Sequence, residues 1–470
     1  MPRVFAALTF LSILIATGCA DHPPATDAAK PAVADPAAGQ QSFAAPEIAW
    51  PDRAWWTRYH DPQLTRLIEQ ALAAAPDLAA AQARLMEANA DATVAGASLW
   101  PSLSGNASLN ETKQSYHYGF PEAFIPKGYL DADAVMASLS YELDLWGKNR
   151  AAAAAALSRT EAARLDEAEI ELTLAAAVAD AYADLARLYR ERDVAQSALA
   201  IRQATFALTS QRLRSGLDTR AELKQAEAGV PAAESAVLAL DEDILRDGHR
   251  IAALLGAGPD RGLAILRPPD VTIQPFGLPP ALSLDLLGRR ADIAAARARA
   301  EAAAKDVDVA EAAFYPNVNL VAFIGVQSLG LPNLLASGSD VGGVGPAISL
   351  PIFTGGRITG RYRAAEAEYR LAVALYNQTV TLALRDVADV ATSQRALAGQ
   401  IEATRRAVAD SDEAYQVARR RYQGGLANFL SVLSAEDALL ANRRSLTDLE
   451  ARAFSLDIAL LRALGGGYGG

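Results

Sequence analysis

The chain is poor in every residue that usually carries chemistry: 470 residues include one cysteine, three methionines and four histidines. A single cysteine excludes an internal disulfide. His22, His60, His117 and His249 show no metal-ligand spacing, so no zinc or copper site is expected and no cofactor is assigned. No catalytic constellation is present, and Gly342-Gly343-Val344-Gly345 lacks the Lys-Ser/Thr of a phosphate loop, which argues against an enzyme. Basic charge is in deficit. A net charge of −11 argues against a nucleic-acid surface, and Arg419-Arg420-Arg421 reads as a solvated helix face. After residue 18 there is no uninterrupted apolar run of about twenty residues, which excludes a transmembrane helix. If this chain crosses a membrane, it does so with strands.

What is present begins with residues 1–18, where Arg3 precedes the apolar run Val4 to Ile15, the pattern of a signal peptide. Ala16-Thr17-Gly18-Cys19 resembles a bacterial lipobox, so Cys19 is the expected lipidation site. Ala20 follows it where an Asp would argue for retention, which by resemblance to other lipoproteins favours the outer membrane. Residues 19–41, rich in Ala, Pro, Asp and Gly, read as a lipidated flexible tether.

The only sheet-like pattern lies in residues 99–150 and again in 314–357. Leu103, Gly105, Ala107 and Leu109 alternate with Ser102, Ser104, Asn106, Ser108 and Asn110; Ala137, Leu139, Tyr141 and Leu143 alternate with Met136, Ser138, Ser140 and Glu142. The unit returns as Phe314 to Arg357, with Trp100-Pro101-Ser102-Leu103 answered by Tyr315-Pro316-Asn317-Val318. Tyr116, Tyr118, Phe120, Phe124 and Tyr129 between the first two strands read equally as an aromatic girdle or a packed loop.

The helices repeat as well. Ala151 to Leu213 has no proline or glycine, and its seam Leu174, Val178, Ala181, Leu185, Leu188, Arg192, Ala195, Leu199, Arg202, Phe206, Thr209, Leu213 steps by four and three. Such a helix reaches roughly 90 Å at about 1.5 Å per residue. Subtracting 209 lays Tyr415 on Phe206, Leu397 on Leu188 and Val387 on Val178. Arg212-Leu213-Arg214-Ser215-Gly216-Leu217 answers Arg421-Tyr422-Gln423-Gly424-Gly425-Leu426, turns in which glycine supplies the left-handed residue. Return helices follow, from Thr219 to Leu255 and from Asn428 to Leu464, and Gly229-Val230-Pro231 is expected to kink or break the first. Leu286 to Ala313 reads as one helix.

The chain therefore divides into 1–18, the signal peptide; 19–41, the tether; 42–98, an N-terminal segment and first helices; 99–150, the first strand pair; and 151–257, the first long helical hairpin. A linker over 258–282 leads to a helix over 283–313, the second strand pair over 314–357, the second hairpin over 358–465 and a tail over 466–470. The expected fold is mainly α with a transmembrane β-barrel. Four strands alone would leave two edges of unpaired backbone in lipid, so closure requires other subunits; three chains would supply twelve strands and leave a lumen. Leu103, Leu109, Leu139, Tyr141, Val318, Leu320, Ile348 and Leu350 are the expected lipid-facing residues.

The lipobox, the duplicated strand pairs, the two glycine turns, and Leu287-Gly288-Arg289-Arg290-Ala291-Asp292-Ile293 leading to Phe314-Tyr315-Pro316 resemble the outer-membrane efflux protein family, the TolC-like and OprM-like channels, in its lipoprotein branch. The resemblance implies a homotrimer with a twelve-strand barrel, a long periplasmic α-barrel and an equatorial domain. It implies a passive exit duct for drugs or other small molecules, driven by an inner-membrane pump through a periplasmic adaptor. Arg212, Leu213, Gly216, Leu217, Arg421, Tyr422, Gly425 and Leu426 would then form the periplasmic tip, contact the adaptor and hold the closed state. Relatives often place acidic residues after the second turn; Ser431 and Ser434 stand there in this chain, and Glu222 holds the acidic place in the first half. With Tyr422 as a constriction, these are the expected gate residues. Three alternatives stay open on the sequence: a secretion or metal-ion duct of the same family, a periplasmic coiled-coil adaptor or scaffold, and an enzyme, for which no motif is found.

Overall fold

The computed structural model describes residues 41–118, 121–271, 273–280 and 282–468. Cys19, the signal peptide, most of the tether and Phe120 lie outside these residues. In chain order, a 3-10 turn (Trp55–Tyr59) precedes α1 (Pro62–Ala74), α2 (Pro76–Ala97), β1 (Ser102–Thr112), β2 (Leu130–Leu143), α3 (Lys148–Arg214) and α4 (Arg220–Leu254). Then come α5 (Asp260–Leu263), α6 (Leu282–Arg289), α7 (Ala291–Ala312), β3 (Asn317–Leu329), β4 (Asp340–Ser349), α8 (Arg357–Gln423) and α9 (Phe429–Ala463). The duplication survives in lengths: α3 and α8 have 67 residues each, and α4 and α9 have 35 each.

Two compact bodies contain these elements. The first holds residues 85–163 and 296–376 and is built around one antiparallel sheet in the order β1-β2-β3-β4. Residues directly opposite in such a sheet share a face. The register pairs Leu103 with Leu139, Tyr141 with Leu320, Leu139 with Ala322 and Val318 with Ile348. Leu103, Leu109, Leu139, Tyr141, Val318, Leu320, Ile324, Val344 and Ile348 therefore fall on one side, while Val321, Phe323, Leu329 and Val341 fall on the other. Ser102 faces Ser140 and Ser104 faces Ser138 on the other. Leu350 follows the last residue of β4, so it lies beyond the strand expected to contain it. Behind the sheet's end, Trp146 stacks on Tyr315 at 4.7 Å and donates from Nε1 to the Pro316 carbonyl at 2.7 Å. Arg159 of α3 pairs with Asp306 of α7, and the Thr160 hydroxyl donates to the Ala88 carbonyl of α2.

The second body holds residues 41–84, 164–295 and 377–468. Its core gathers Trp55, Tyr59, Leu64, Leu67 and Ile68 against Val178, Tyr182 and Leu185 of α3, Ile251 of α4, and Phe454 and Ile458 of α9. Asp61 caps α1 by accepting from the Gln63 and Leu64 N–H groups at 2.7 and 3.1 Å, which fits Asp61-Pro62 as a helix start. Its other oxygen accepts from the Tyr182 hydroxyl at 2.6 Å, and the Tyr59 hydroxyl donates to Asp457 at 2.7 Å. Two buried polar pairs thus fix the segment before α1 to α3 and α9.

Two expectations about helix continuity need correction. α4 is not broken at Pro231, which lies inside one continuous helix and lacks an N–H donor. Leu286 to Ala313 is not one helix, because Arg290 separates α6 from α7. There its Nη2 and Nε bind Asp292 at 2.6 and 3.0 Å and its Nη1 reaches the Ala463 carbonyl, while the Asp292 carboxylate accepts the Ile293 N–H at 2.8 Å. The region 258–282 is a linker with one short helix, α5, and a parallel bridge between Glu47 and Leu278.

Candidate functional site

The two turns are built alike. At the first, the Leu217 N–H reaches back to the Arg212 carbonyl at 2.9 Å and the Gly216 N–H to Leu213 at 2.9 Å; at the second, Leu426 reaches Arg421 at 2.7 Å and Gly425 reaches Tyr422 at 3.0 Å. Gly216 and Gly425 have φ of +74° and +73°, the left-handed conformation of the motif. Each return helix is then capped, by Thr219 in one half and by Asn428, which accepts from the Ser431 N–H at 3.0 Å, in the other. Beside these turns Leu217, Leu426 and Leu430 are 63%, 73% and 64% exposed. An open cavity of about 690 Å³ beside the second turn is lined by Glu413, Val417, Arg421, Leu426, Asn428 and Ser431.

Beneath the turns the two halves are tied by polar groups. Arg212 Nε binds both oxygens of Asp218 at 3.1 Å, its Nη1 donates to the Tyr422 carbonyl at 2.5 Å, and its guanidinium lies 4.3 Å from the centre of the Tyr422 ring. The Tyr422 hydroxyl donates to Asp218, and Thr209 shares a 3.3 Å contact with it. Burial, then the hydrogen bond to Asp218, pushes the Tyr422 hydroxyl up to about 12, so it stays protonated and donates. Phe429, Val432, Leu439, Ala226 and Tyr415 pack around this group.

Within a single chain Tyr422 is fully buried and Arg212 is 8% exposed. They join α3 and the first turn to α8. Glu222 turns its carboxylate back onto the Thr219 N–H at 2.7 Å in a capping box, so it is engaged in holding the start of α4. Ser431 and Ser434 are exposed on α9, Arg421 is exposed, and Leu213 is half-buried. Asp218 and Thr209, central to the tie, were not singled out as site residues in the sequence. Asp218 had one available signal: the matching position of the second turn is Ala427.

The seam interruptions resolve in the same way. Arg192 pairs with Asp241 of α4. Arg202 Nε lies 2.8 Å from Glu436 Oε1 and its Nη2 lies 2.5 Å from Asp437 Oδ1, both on α9. Glu436 is wholly buried and its Oε2 accepts from Thr205 at 3.1 Å; burial pushes its carboxyl up, while Arg202 and Thr205 pull the other way.

In the first body, the second candidate surface is the apolar side of the sheet. Leu103, Leu109, Ile324, Val344 and Ile348 are 74%, 65%, 71%, 85% and 57% exposed there, an apolar expanse that a chain surrounded by water rarely leaves bare. Gly343, in the glycine cluster of β4, makes room on the opposite face for Phe323, whose ring would lie 2.9 Å from an added Cβ. In the β1–β2 loop the Gly128 N–H donates to the Tyr116 hydroxyl, and Lys113 lies over the Tyr116 and Tyr129 rings, whereas Tyr118 and Phe124 are exposed. Among the described residues no helix is long and apolar enough to cross a membrane, and no group of three or more His, Cys, Asp or Glu is placed to hold a metal ion.

The profile of the outer membrane efflux protein family matches residues 67–257 and 282–466, across both repeats, and the chain belongs to that family. It is 36% identical over 372 residues to the fusaric acid resistance protein FusA of Burkholderia cepacia, covering 77% of this chain and 70% of that protein. Against the multidrug resistance outer membrane protein MdtP of Escherichia coli K12 it is 30% identical over 426 residues, 89% of this chain and 87% of the relative. The crystal structure of the outer membrane protein VceC of Vibrio cholerae superposes with a TM-score of 0.85 at 46% identity, covering 89% of this chain and 100% of that one. The protein is an outer-membrane efflux channel component.

Proposed function

We propose that three copies of this chain close their four-stranded sheets into a twelve-strand transmembrane barrel and act as the passive exit duct of a tripartite efflux system. The observation that carries this reading is the sheet itself: Leu103, Leu109, Leu139, Leu320, Ile324, Val344 and Ile348 share one face, serines are gathered on the other, and β1 and β4 are its edges. An edge of unpaired N–H and C=O groups in lipid costs several kcal/mol per group, so the sheet is stable in a membrane only when other copies continue it. The apolar side faces lipid, and Ser102, Ser104, Asn106, Ser138 and Ser140 line the lumen. The exposed leucines of the two turns and Arg421 form the surface for a periplasmic adaptor, and the Arg212–Asp218–Tyr422 tie helps to hold the closed state. Energy comes from an inner-membrane pump. Similarity to proteins named for fusaric acid and multidrug resistance supports small organic molecules as the cargo. Cys19 carries the lipid anchor.

Single-particle imaging of the detergent-solubilised full-length protein tests the assembly. A hollow particle of threefold symmetry is the expected result, and a monomer or a solid rod would remove the duct reading.

A further inference from the structure

The tip tie is one of several polar links between the hairpins; the next lies deeper, at Arg202, and beyond it Arg443 Nη1 of α9 donates to Ser197 Oγ of α3 at 3.3 Å. Arg202 stands ten residues before Arg212 on α3, about 15 Å along the helix axis. Like Arg192 it interrupts the seam, and it meets Glu436 at 2.8 Å and Asp437 at 2.5 Å on α9. Three helices cooperate in seating it. Gly229 of α4 lies against the arginine stem, where an added Cβ would come within 3.2 Å of Arg202 Cδ, and Thr205 of α3 hydrogen-bonds the second oxygen of the buried Glu436.

The repeat shows that this arrangement is not generic to the hairpin. Adding 209 to Arg202 gives Ser411, and adding it to Gly229 gives Ala438, so the half without the arginine also lacks the glycine that makes room for it. Glu227, the counterpart of Glu436, is exposed and pairs with Lys224 three residues away. The same carboxylate is a surface residue in one half and a buried partner in the other. Arginine, space and burial occur together once per chain.

Withdrawing the partner of a buried charge is costly. Both links are shielded, with Arg212 and Asp218 9% and 3% exposed at their side chains and Arg202 and Glu436 19% and 0%, so what distinguishes the link at Arg202 is its place about 15 Å along α3 from the turns. We propose that Arg202, seated by Gly229 and neutralised by Glu436 and Asp437, is a buried latch that keeps α9 on α3 when the tip tie is released, confining the parting of the hairpins to the turns below it. The inference rests on the reading of the tip as part of the closed state.

The experiment uses the full-length assembled protein in planar lipid bilayers and compares Tyr422→Phe, Glu436→Gln, Gly229→Ala and the two combinations with Tyr422→Phe. Glu436→Gln keeps shape and removes charge; Gly229→Ala keeps charge and displaces the arginine. The latch variants alone are expected to leave conductance at the parent value, Tyr422→Phe to raise it, and either combination to raise it by a further factor of roughly two or more, a non-additive result characteristic of coupled sites. Combinations that conduct like Tyr422→Phe alone would overturn the latch, as would latch variants that open the channel unaided. Absence of discrete conductance from the parent and every variant would instead strike at the duct reading itself. Should Gly229→Ala fail to assemble, Glu436→Gln carries the test.

Discussion

At position 422 the second repeat has a tyrosine where the first has Leu213, and at 218 the first has an aspartate where the second has Ala427. The hydrogen bond between them is therefore a product of divergence between the halves. Because Tyr422→Phe removes the donor and Asp218→Ala the acceptor of the same contact, each is expected to raise single-channel conductance, and the double variant to rise little beyond the larger single effect. A different titration concerns Asp180 and Asp247. Burial, with the Asp184 charge adding to it at Asp180, pushes each carboxyl up to about 6 from an ordinary value near 3.8. A raised folded-state pKa means the folded chain holds these protons more tightly. Their contribution to stability is fully present below the unfolded value and is lost as pH rises through about 6. Thermal unfolding of the solubilised protein should therefore move to higher temperature as pH falls from 7.5 to 5, and Asp247→Asn should reduce that gain.

Among elements, the sheet makes the sharper prediction. Leu139 sits mid-strand on the apolar face opposite Leu103 and Ala322, so Leu139→Arg should cost about 2–4 kcal/mol of membrane stability and deplete the folded protein from outer-membrane fractions. Ser138→Arg, one residue away on the other face, should be tolerated. At the turns, Thr219→Ala removes the capping box of α4 and should cost about 1 kcal/mol, read as a lowered melting temperature. Much of this was legible in the sequence because strands and long helices announce themselves by period: the alternation at Ser102 to Asn110 and the seam from Leu174 to Leu213 became β1 and α3. What was not legible depended on partners remote in sequence. Nothing near Tyr422 shows that Asp218, 204 residues earlier, will take its hydroxyl and bury it. Pro231 misled for the opposite reason: a local rule about proline gave way to the packing of a 35-residue helix. Arg290 divided a continuous periodic stretch through a carboxylate two residues on.

For the whole molecule, the proposed lipid anchor at Cys19 and the proposed insertion of the strand pairs can be tested apart. Cys19→Ser should abolish incorporation of labelled fatty acid, while the strand pairs still carry the protein into the outer membrane, measured by fractionation. The duplication bears on recognition in one further way. Both turns share one backbone trace, closed by Gly216 and Gly425 at nearly the same φ, but they present different letters: Leu217 and Thr219 at one and Leu426 and Asn428 at the other, Asp218 being drawn inward by Arg212 and Tyr422. A partner that grips shape would count two berths on every chain, whereas a partner that reads side chains would count one, so the stoichiometry of a complex would reveal which language its binding surface reads.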